Sequence, residues 1–319
     1  MLGRAEITTQ LKYTIENVSA PHLGNRIEGK VRDSYVLGDR RVLVTSDRLS
    51  AFDRVLTTIP FKGHLLNEMA AYWFRETAPI IPNHILSQPH PNIFIARQVE
   101  ILPVEVVVRG YLTGSAWRDY EAGKAVSGIT LPKGMRRSER FNQPLLTPST
   151  KAERGHHDQP ISSEEIVRSG LVSKKLWDEV ARTALKLFLF GTEKAAARGL
   201  ILVDTKYEFG VLRTSGREEL LLADEVHTQD SSRYWMLESY EQSFASGADP
   251  VMLDKEFVRR WLIEQGYMGD GTPPQFTDTF RVDTAMKYME ACEKITGSPF
   301  KGTPGPVIPA IEQVLAEIR

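Results

Sequence analysis

Leu202-Val203-Asp204-Thr205-Lys206-Tyr207-Glu208-Phe209-Gly210 sets acid, base and acid at every second position. Alternate side chains of an extended strand share a face. Asp204, Lys206 and Glu208 therefore fall on one surface, and Val203, Thr205 and Tyr207 on the other. Two carboxylates around one ammonium suit a magnesium–phosphate site, because carboxylate oxygens hold hard cations and lysine holds phosphate. A solvated strand with alternating charges satisfies the same pattern, since antiparallel sheets commonly leave one face to water. The nine residues alone leave both readings open.

Working outward, residues 173–198 carry the longest helical pattern, with Leu176, Trp177, Val180, Ala181, Ala184, Leu187 and Phe188 on one stripe and Gly199 as the stop. Downstream, residues 220–223 form a short apolar strand running into Asp224-Glu225. A hairpin of the two strands would bring Asp224 towards Glu208. Residues 104–108 are mostly β-branched and apolar after Pro103, which predicts a buried strand. The first hundred residues are rich in strand patterns. Residues 26–46 read as strand, turn and strand about Gly38-Asp39, with a further reversal near Gly29. Residues 64–77 place Leu65, Met69, Tyr72 and Trp73 at helical spacing. Residues 128–160, rich in Pro, Gly, Ser and Arg, read as a long ordered loop. Ser162 and Glu165 are spaced for a capping box. Helical patterns over 254–265, 278–295 and 308–319 fill the last third. Strands first and helices later predict an α+β fold, with a boundary near Pro103 that divides the chain into 1–102 and 103–319.

At 319 residues the chain has ample core for one large or two modest domains. Its net charge of -1 gives no global field to recruit nucleic acid or an anionic membrane. Cys292 is the single cysteine, which excludes a disulfide framework and fits a reducing compartment. The first six residues lack a hydrophobic signal core, and the most apolar run, 184–190, contains Lys186 and is too short to span a bilayer. A cytoplasmic protein is expected.

Four further segments carry candidate chemistry. Gly29-Lys30-Val31-Arg32-Asp33 can lay backbone N–H groups and cations along a polyphosphate, or be an ordinary charged hairpin. Asp47 and Ser50 lie in a run of small hydroxyls and acids after an apolar strand, where function and simple turn chemistry are both at home. Arg109 ends a strand and precedes Gly110 and Ser115, offering a bidentate fork and an anion nest; a structural ion pair is the competing reading. Lys151 precedes Glu153, His156, His157 and Asp158; adjacent histidines diverge, zinc spacing is absent, and Lys151 in this loop could close over an anion. A fifth group, Asp224 to Arg233 with His227 between, follows the second strand.

Together these segments, from about residue 26 to 260, resemble the phosphoribosylaminoimidazole-succinocarboxamide synthase (SAICAR synthetase) family. Leu102-Pro103-Val104-Glu105-Val106-Val107-Val108-Arg109 with Thr113-Gly114-Ser115 is similar to one family signature, and Leu202 through Gly210 to the other. The length and the Gly110-Tyr111-Leu112-Thr113-Gly114-Ser115-Ala116-Trp117 form resemble the longer, fungal-like branch. The resemblance implies a purine-biosynthetic ligase joining carboxyaminoimidazole ribonucleotide (CAIR) to L-aspartate with ATP and Mg²⁺. It also implies a kinase- or ATP-grasp-like β-rich lobe, ATP between two lobes, and a monomer, with a dimer open. Carried over residue by residue, Gly29, Lys30, Val31 and Arg32 resemble a phosphate-covering hairpin. Arg97, Glu100, Ile101 and Val104 resemble the adenine segment, and Lys206 a nucleotide-side lysine. Glu208 and Asp224 resemble the metal ligands. Arg109, Ser115, Asp204 and Arg233 match substrate-holding positions, with Ser50 and Asp47 as further contacts. Lys151 matches an active-site loop lysine. Lys255 and Arg259 resemble a late helix reaching the ribonucleotide phosphate, although Arg260 departs from the acid expected beside them. A small-molecule kinase would need His-Arg-Asp and Asp-Phe-Gly elements, and neither string occurs. A regulator that had lost catalysis would be expected to break the acid pair or the lysines, and Asp204, Lys206, Glu208 and Asp224 are all present.

Overall fold

The computed structural model describes residues 2–151, 158–214, 216–253 and 255–318. In chain order the elements begin with α1 (Arg4–Gln10), β1 (Arg32–Leu37), β2 (Arg40–Thr45), β3 (Arg48–Ala51), β4 (Arg54–Thr58), α2 (Lys62–Thr77), β5 (Ile85–His90) and β6 (Ile93–Arg97). They continue through β7 (Glu100–Ile101), β8 (Val104–Tyr111), α3 (Gly114–Glu121), β9 (Arg140–Leu146), β10 (Ser149–Thr150), α4 (Ser163–Arg168), α5 (Lys174–Ala196), β11 (Leu200–Thr214), β12 (Arg217–Ala223), β13 (Ser232–Met236) and α6 (Leu237–Ser246). The chain closes with α7 (Glu256–Glu264), α8 (Asp278–Thr296) and α9 (Ile308–Glu317). This is an α+β fold, as expected.

The compact units do not follow one cut of the chain. The first comprises residues 1–72, 84–98 and 253–319, and the second 73–83 and 99–252. The sequence pattern instead suggested 1–102 and 103–319. The reason is the C-terminal helices: Ile311 and Leu315 of α9 pack into a core with Tyr35, Val42, Val44 and Ile93, a long-range contact that no local pattern announces. In this first unit the described strands β1-β2-β6-β5 form one antiparallel sheet and β3-β4 a separate hairpin. Gly38-Asp39 makes the β1–β2 turn, with Gly38 at φ 61°, where glycine is strain-free.

The second unit is built on β11. Its 15 residues pair with β12, β13, β7 and β8, and all four pairings are antiparallel. Helix α5 covers the sheet. Ser173 caps it by accepting from the Leu176 N–H, and Trp177, Val180, Leu187 and Phe188 face inward. Burying side chains of that size contributes roughly 1.5–3 kcal/mol each. Residues 128–160, expected as loop, contain β9 and β10. Both strands pair with β8. Pro144 hides β9 from sequence patterning, but an edge strand tolerates it. β13 and α6 were likewise unannounced, because the hydroxyls and charges of Ser231, Ser232 and Arg233 give no apolar strand pattern. Among the described residues no helix is long and apolar enough to cross a membrane.

Candidate active site

β8 and β13 flank β11 and set its polar face. Asp204 lies directly opposite Arg109 on β8 and opposite Arg233 on β13. The pairing of β11 with β13 shifts register between Leu202 and Asp204. One extra β11 residue at that point re-aims the following side chain. As a result Arg109 Nη1 donates to Asp204 Oδ2 at 2.8 Å and Arg233 Nη1 to the same oxygen at 2.5 Å. Arg109 also donates to Thr147 Oγ1 at 2.9 Å and, through Nη2, to Ser115 Oγ at 3.0 Å. Ser115 stands at the start of α3. Gly114 there is needed for space: a Cβ would lie 2.6–2.8 Å from the Arg233 guanidinium. Burial pulls the Arg109 guanidinium below its ordinary pKa, against the Asp204 carboxylate, which supports the charge.

Two residues on, Lys206 Nζ donates to Glu105 Oε1 at 2.8 Å and Glu208 Oε1 at 3.1 Å. The other Glu208 oxygen accepts from Lys151 Nζ at 2.5 Å. Burial alone would lower the Lys206 pKa. The carboxylates of Glu208, Glu105 and Asp224 reverse that and hold it well above the ordinary lysine value. Glu105 is raised, first by burial. Ala223 is the cross-strand partner of Glu208, so the anticipated hairpin exists and Asp224 follows one residue beyond, at φ 59°. Two charge clusters result. Around Asp204 two guanidiniums share one directly bonded acid, with Asp119 acting on Arg109 from further off; around Lys206 the three carboxylates Glu105, Glu208 and Asp224 face two lysines, with Asp158 acting on Glu105. The first suits an anionic substrate and the second a cation.

The opposite face of β11 anchors the loop after β12. Tyr207 Oη and His227 Nε2 are 2.6 Å apart, Tyr234 Oη donates to the His227 carbonyl at 2.8 Å, and Thr205 and Ser232 hydroxyls meet at 2.7 Å. The His227 ring stands edge-on to Trp73 at 4.6 Å and against Gly191, where a Cβ would approach within 2.3 Å. Burial drives the His227 pKa down to about 3. A folded pKa below the unfolded value of about 6.5 gives stability that is present above pH 6.5 and is lost as pH falls towards 3. The stability advantage of wild type over His227→Gln should therefore shrink by about 1.4 kcal/mol per pH unit between pH 6 and 4 in urea titrations. Parallel profiles for the two proteins would rule out a buried neutral histidine.

The other expected site residues lie as follows. Gly29, Lys30, Val31 and Arg32 form a tight turn entering β1; exposed Lys30 pairs with Asp53, and Arg32 Nε donates to Thr45 Oγ1 at 3.0 Å. Arg97 ends β6 opposite Arg40. Glu100, exposed, pairs with Arg213, and Ile101 faces Gly210 across β7–β11. Val104 is buried at the start of β8. Asp47 is 1% exposed and accepts from the Ile15 and Gly63 N–H groups, so its carboxylate is committed inside the fold, and burial raises its pKa to about 6. Ser50 is buried in β3 opposite Val55. Lys255 precedes α7, and Arg259 pairs with Glu256 on that helix. Glu153, His156, His157 and Asp254 lie outside the described residues. Glu105 received no role from the sequence, although a carboxylate interrupting an apolar strand two and four residues from positions facing the site was a readable signal.

The sequence model of the SAICAR synthetase family matches residues 25–274. A phosphoribosylaminoimidazole-succinocarboxamide synthase from Legionella pneumophila (strain Paris) is 43% identical over 305 residues, covering 93% of this chain and 96% of its own. A chloroplastic one from Arabidopsis thaliana is 46% identical, covering 92% of this chain and 74% of its own. A solved SAICAR synthase from Saccharomyces cerevisiae, complexed with SAICAR, is similar with a TM-score of 0.79 at 31% identity, over 91% of this chain and 100% of that one. A SAICAR synthetase solved with ADP shares the fold with a TM-score of 0.66 at 23% identity, over 87% of this chain and 100% of its own. On this agreement of sequence and fold across most of its length, the chain belongs to the SAICAR synthetase family.

Proposed function

We propose that the protein joins CAIR to L-aspartate, forming SAICAR, ADP and phosphate from ATP, as an ATP-dependent ligase of purine biosynthesis. The observation that carries this reading is the pair of oppositely biased charge clusters on one face of β11, about Asp204 and about Lys206. A carboxylate is a poor acyl donor because oxide would have to leave. In the proposed sequence a CAIR carboxylate oxygen attacks the γ-phosphorus and ADP departs. The aspartate amine then attacks the acyl carbon, phosphate departs, and the nitrogen's proton passes to the departing phosphate or solvent. Such chemistry asks the protein for positioning and charge neutralisation more than for covalent work.

Arg109, Ser115, Asp204 and Arg233 are proposed to hold the anionic substrates, with Ser50, Asp47, Lys255 and Arg259 as further candidates. Of these, buried Asp47 suits a scaffolding role best. Lys206 stays protonated at neutral pH and presents fixed positive charge on the nucleotide side. Lys151 is its loop counterpart. Gly29, Lys30, Val31 and Arg32 are proposed to cover phosphate, and Arg97, Glu100, Ile101 and Val104 to receive adenine. In the main, the nucleotide candidates lie within residues 1–102, joined by Val104 and Lys206, and the metal and substrate candidates within 103–319, joined by Asp47 and Ser50.

Among the described residues no group of three or more acidic, histidine or cysteine side chains is arranged to hold a metal. Magnesium ordinarily takes one or two carboxylates and completes its shell with phosphate and water. Glu208 and Asp224, in a cluster with excess negative charge, fit that habit and would hold Mg²⁺. When bound, it would neutralise phosphate oxygens. The same reading carries a cytoplasmic monomer acting on small molecules, without nucleic-acid or membrane partners.

The test is purified protein with ATP, Mg²⁺, CAIR and aspartate. ADP release should depend on aspartate and match SAICAR formed, mole for mole. Release that ignores aspartate would count against the ligase.

A further inference from the structure

Arg48 opens β3 and is 3% exposed, yet its guanidinium reaches back to the 29–33 turn. Nη2 donates to the Gly29 carbonyl at 3.0 Å and to Asp33 Oδ1 at 2.6 Å. Nε donates to the Lys30 carbonyl at 3.2 Å. Nη1 donates to Asp33 Oδ2 at 3.2 Å and to the Glu16 carbonyl. The next carbonyl, Val31, accepts from Ser46 N–H at 2.9 Å and Ser46 Oγ–H at 2.6 Å. Successive carbonyls of the turn are thus drawn inward by residues of one neighbouring segment. Gly29 lets the turn close, because a Cβ there would stand 2.3 Å from the Arg32 carbonyl oxygen.

In a trans peptide unit the C=O and the following N–H point in opposite directions. With the Gly29 and Lys30 carbonyls held inward, the N–H groups of Lys30 and Val31 face away from Arg48. Adjacent amides aimed the same way, beside an exposed lysine, make an anion-binding concavity. We propose that Arg48 is a positioning residue for nucleotide phosphate: it touches no substrate, but fixes the direction in which the turn's amides face. The proposal rests on the reading of residues 29–32 as the phosphate-covering turn. Lysine cannot replace it, because one ammonium lacks the planar fork that bridges three carbonyls and a bidentate carboxylate.

The test compares Arg48→Lys and Lys30→Ala with wild type in four measurements: KM for ATP, KM for aspartate, kcat, and ADP affinity by calorimetry, with thermal melts alongside. Arg48→Lys should raise the ATP KM and the ADP Kd about tenfold, with aspartate KM and kcat within about threefold, the pattern of lost nucleotide binding rather than lost chemistry. If the aspartate KM rises by the same factor, Arg48 merely supports the fold and the proposal is overturned. If Lys30→Ala weakens nucleotide binding and folded Arg48→Lys does not, Arg48 has no positioning role. If neither variant affects nucleotide, the phosphate reading of the turn falls and takes the proposal with it. Should Arg48→Lys not fold, Ser46→Ala removes one of the two bonds to the Val31 carbonyl and spares the Arg48–Asp33 pair. A roughly threefold rise in ADP Kd is then expected, and an unchanged Kd overturns the proposal. Calorimetry with ADP needs no ligase turnover, so failure of the ligase reading would show separately, as aspartate-independent ADP release by wild type.

Discussion

Glu208→Gln should lower kcat by about 10²–10³-fold, near 3–4 kcal/mol of transition-state stabilisation, while leaving the circular dichroism spectrum intact. The two halves of that expectation have separate causes. Glutamine keeps the shape of the side chain and one carbonyl oxygen, so Lys206 Nζ, 3.1 Å away, retains an acceptor in Glu105 and a weaker one at position 208. The Lys151 contact is lost, because an amide NH₂ and an ammonium are both donors. Lys151 is about 40% exposed in that pair, and a half-exposed ion pair contributes roughly 0–1 kcal/mol after screening. The fold should therefore survive. What disappears is the unit of negative charge that makes the Lys206 cluster favourable for a cation. The apparent Mg²⁺ requirement should shift to higher concentration along with the fall in kcat. Turnover within threefold of wild type at saturating Mg²⁺ would remove Glu208 from the metal site.

The parts of this protein that could be read from the chain are those with a local cause. β11 was legible from Asp204, Lys206 and Glu208 because period two is a property of the strand itself. α5 was legible from its apolar stripe and the Gly199 stop; its Ser173 cap appears only in the fold. The β11–β12 hairpin was legible because a short connection leaves antiparallel pairing as the simple outcome. What stayed hidden depends on partners far along the chain. Nothing near residues 311–315 says that Ile311 and Leu315 belong with Tyr35 and Val42. Asp47 read as a turn residue or a substrate contact after a strand, but backbone N–H groups of Ile15 and Gly63 bind it inside. Arg48 drew no reading from the sequence, and only the folded turn gives it five acceptors. The division of labour along β11 needed the third dimension too. Alternation shows that Asp204 and Lys206 share a face, but Arg109 and Arg233 on two different strands decide that one is bound by guanidiniums and the other by carboxylates.

Asp204→Asn should abolish measurable ligase turnover and also cost stability, about 3 kcal/mol by urea unfolding, and this second effect separates it from Glu208→Gln. Asp204 is 5% exposed, and one of its oxygens takes both Arg109 and Arg233. Asparagine keeps the volume but removes the charge that lets two guanidiniums stand together. Burial already disfavours the Arg109 cation, and Arg233 adds repulsion. The cost is thus chiefly an uncompensated pair of close charges, one buried and one about a fifth exposed, rather than a lost contact, and it should be relieved by removing one of them. Arg109→Met in the Asp204→Asn background should recover about 0.5–3 kcal/mol relative to the sum of the single variants, the range seen for residues sharing one ion-pair network. Activity should not return in the double variant, because Arg109 is proposed to hold substrate as well. Strict additivity of the two stability changes would mean that Asp204 does not screen the arginines from each other, and the positive bias assigned to this end of β11 would then have no structural basis.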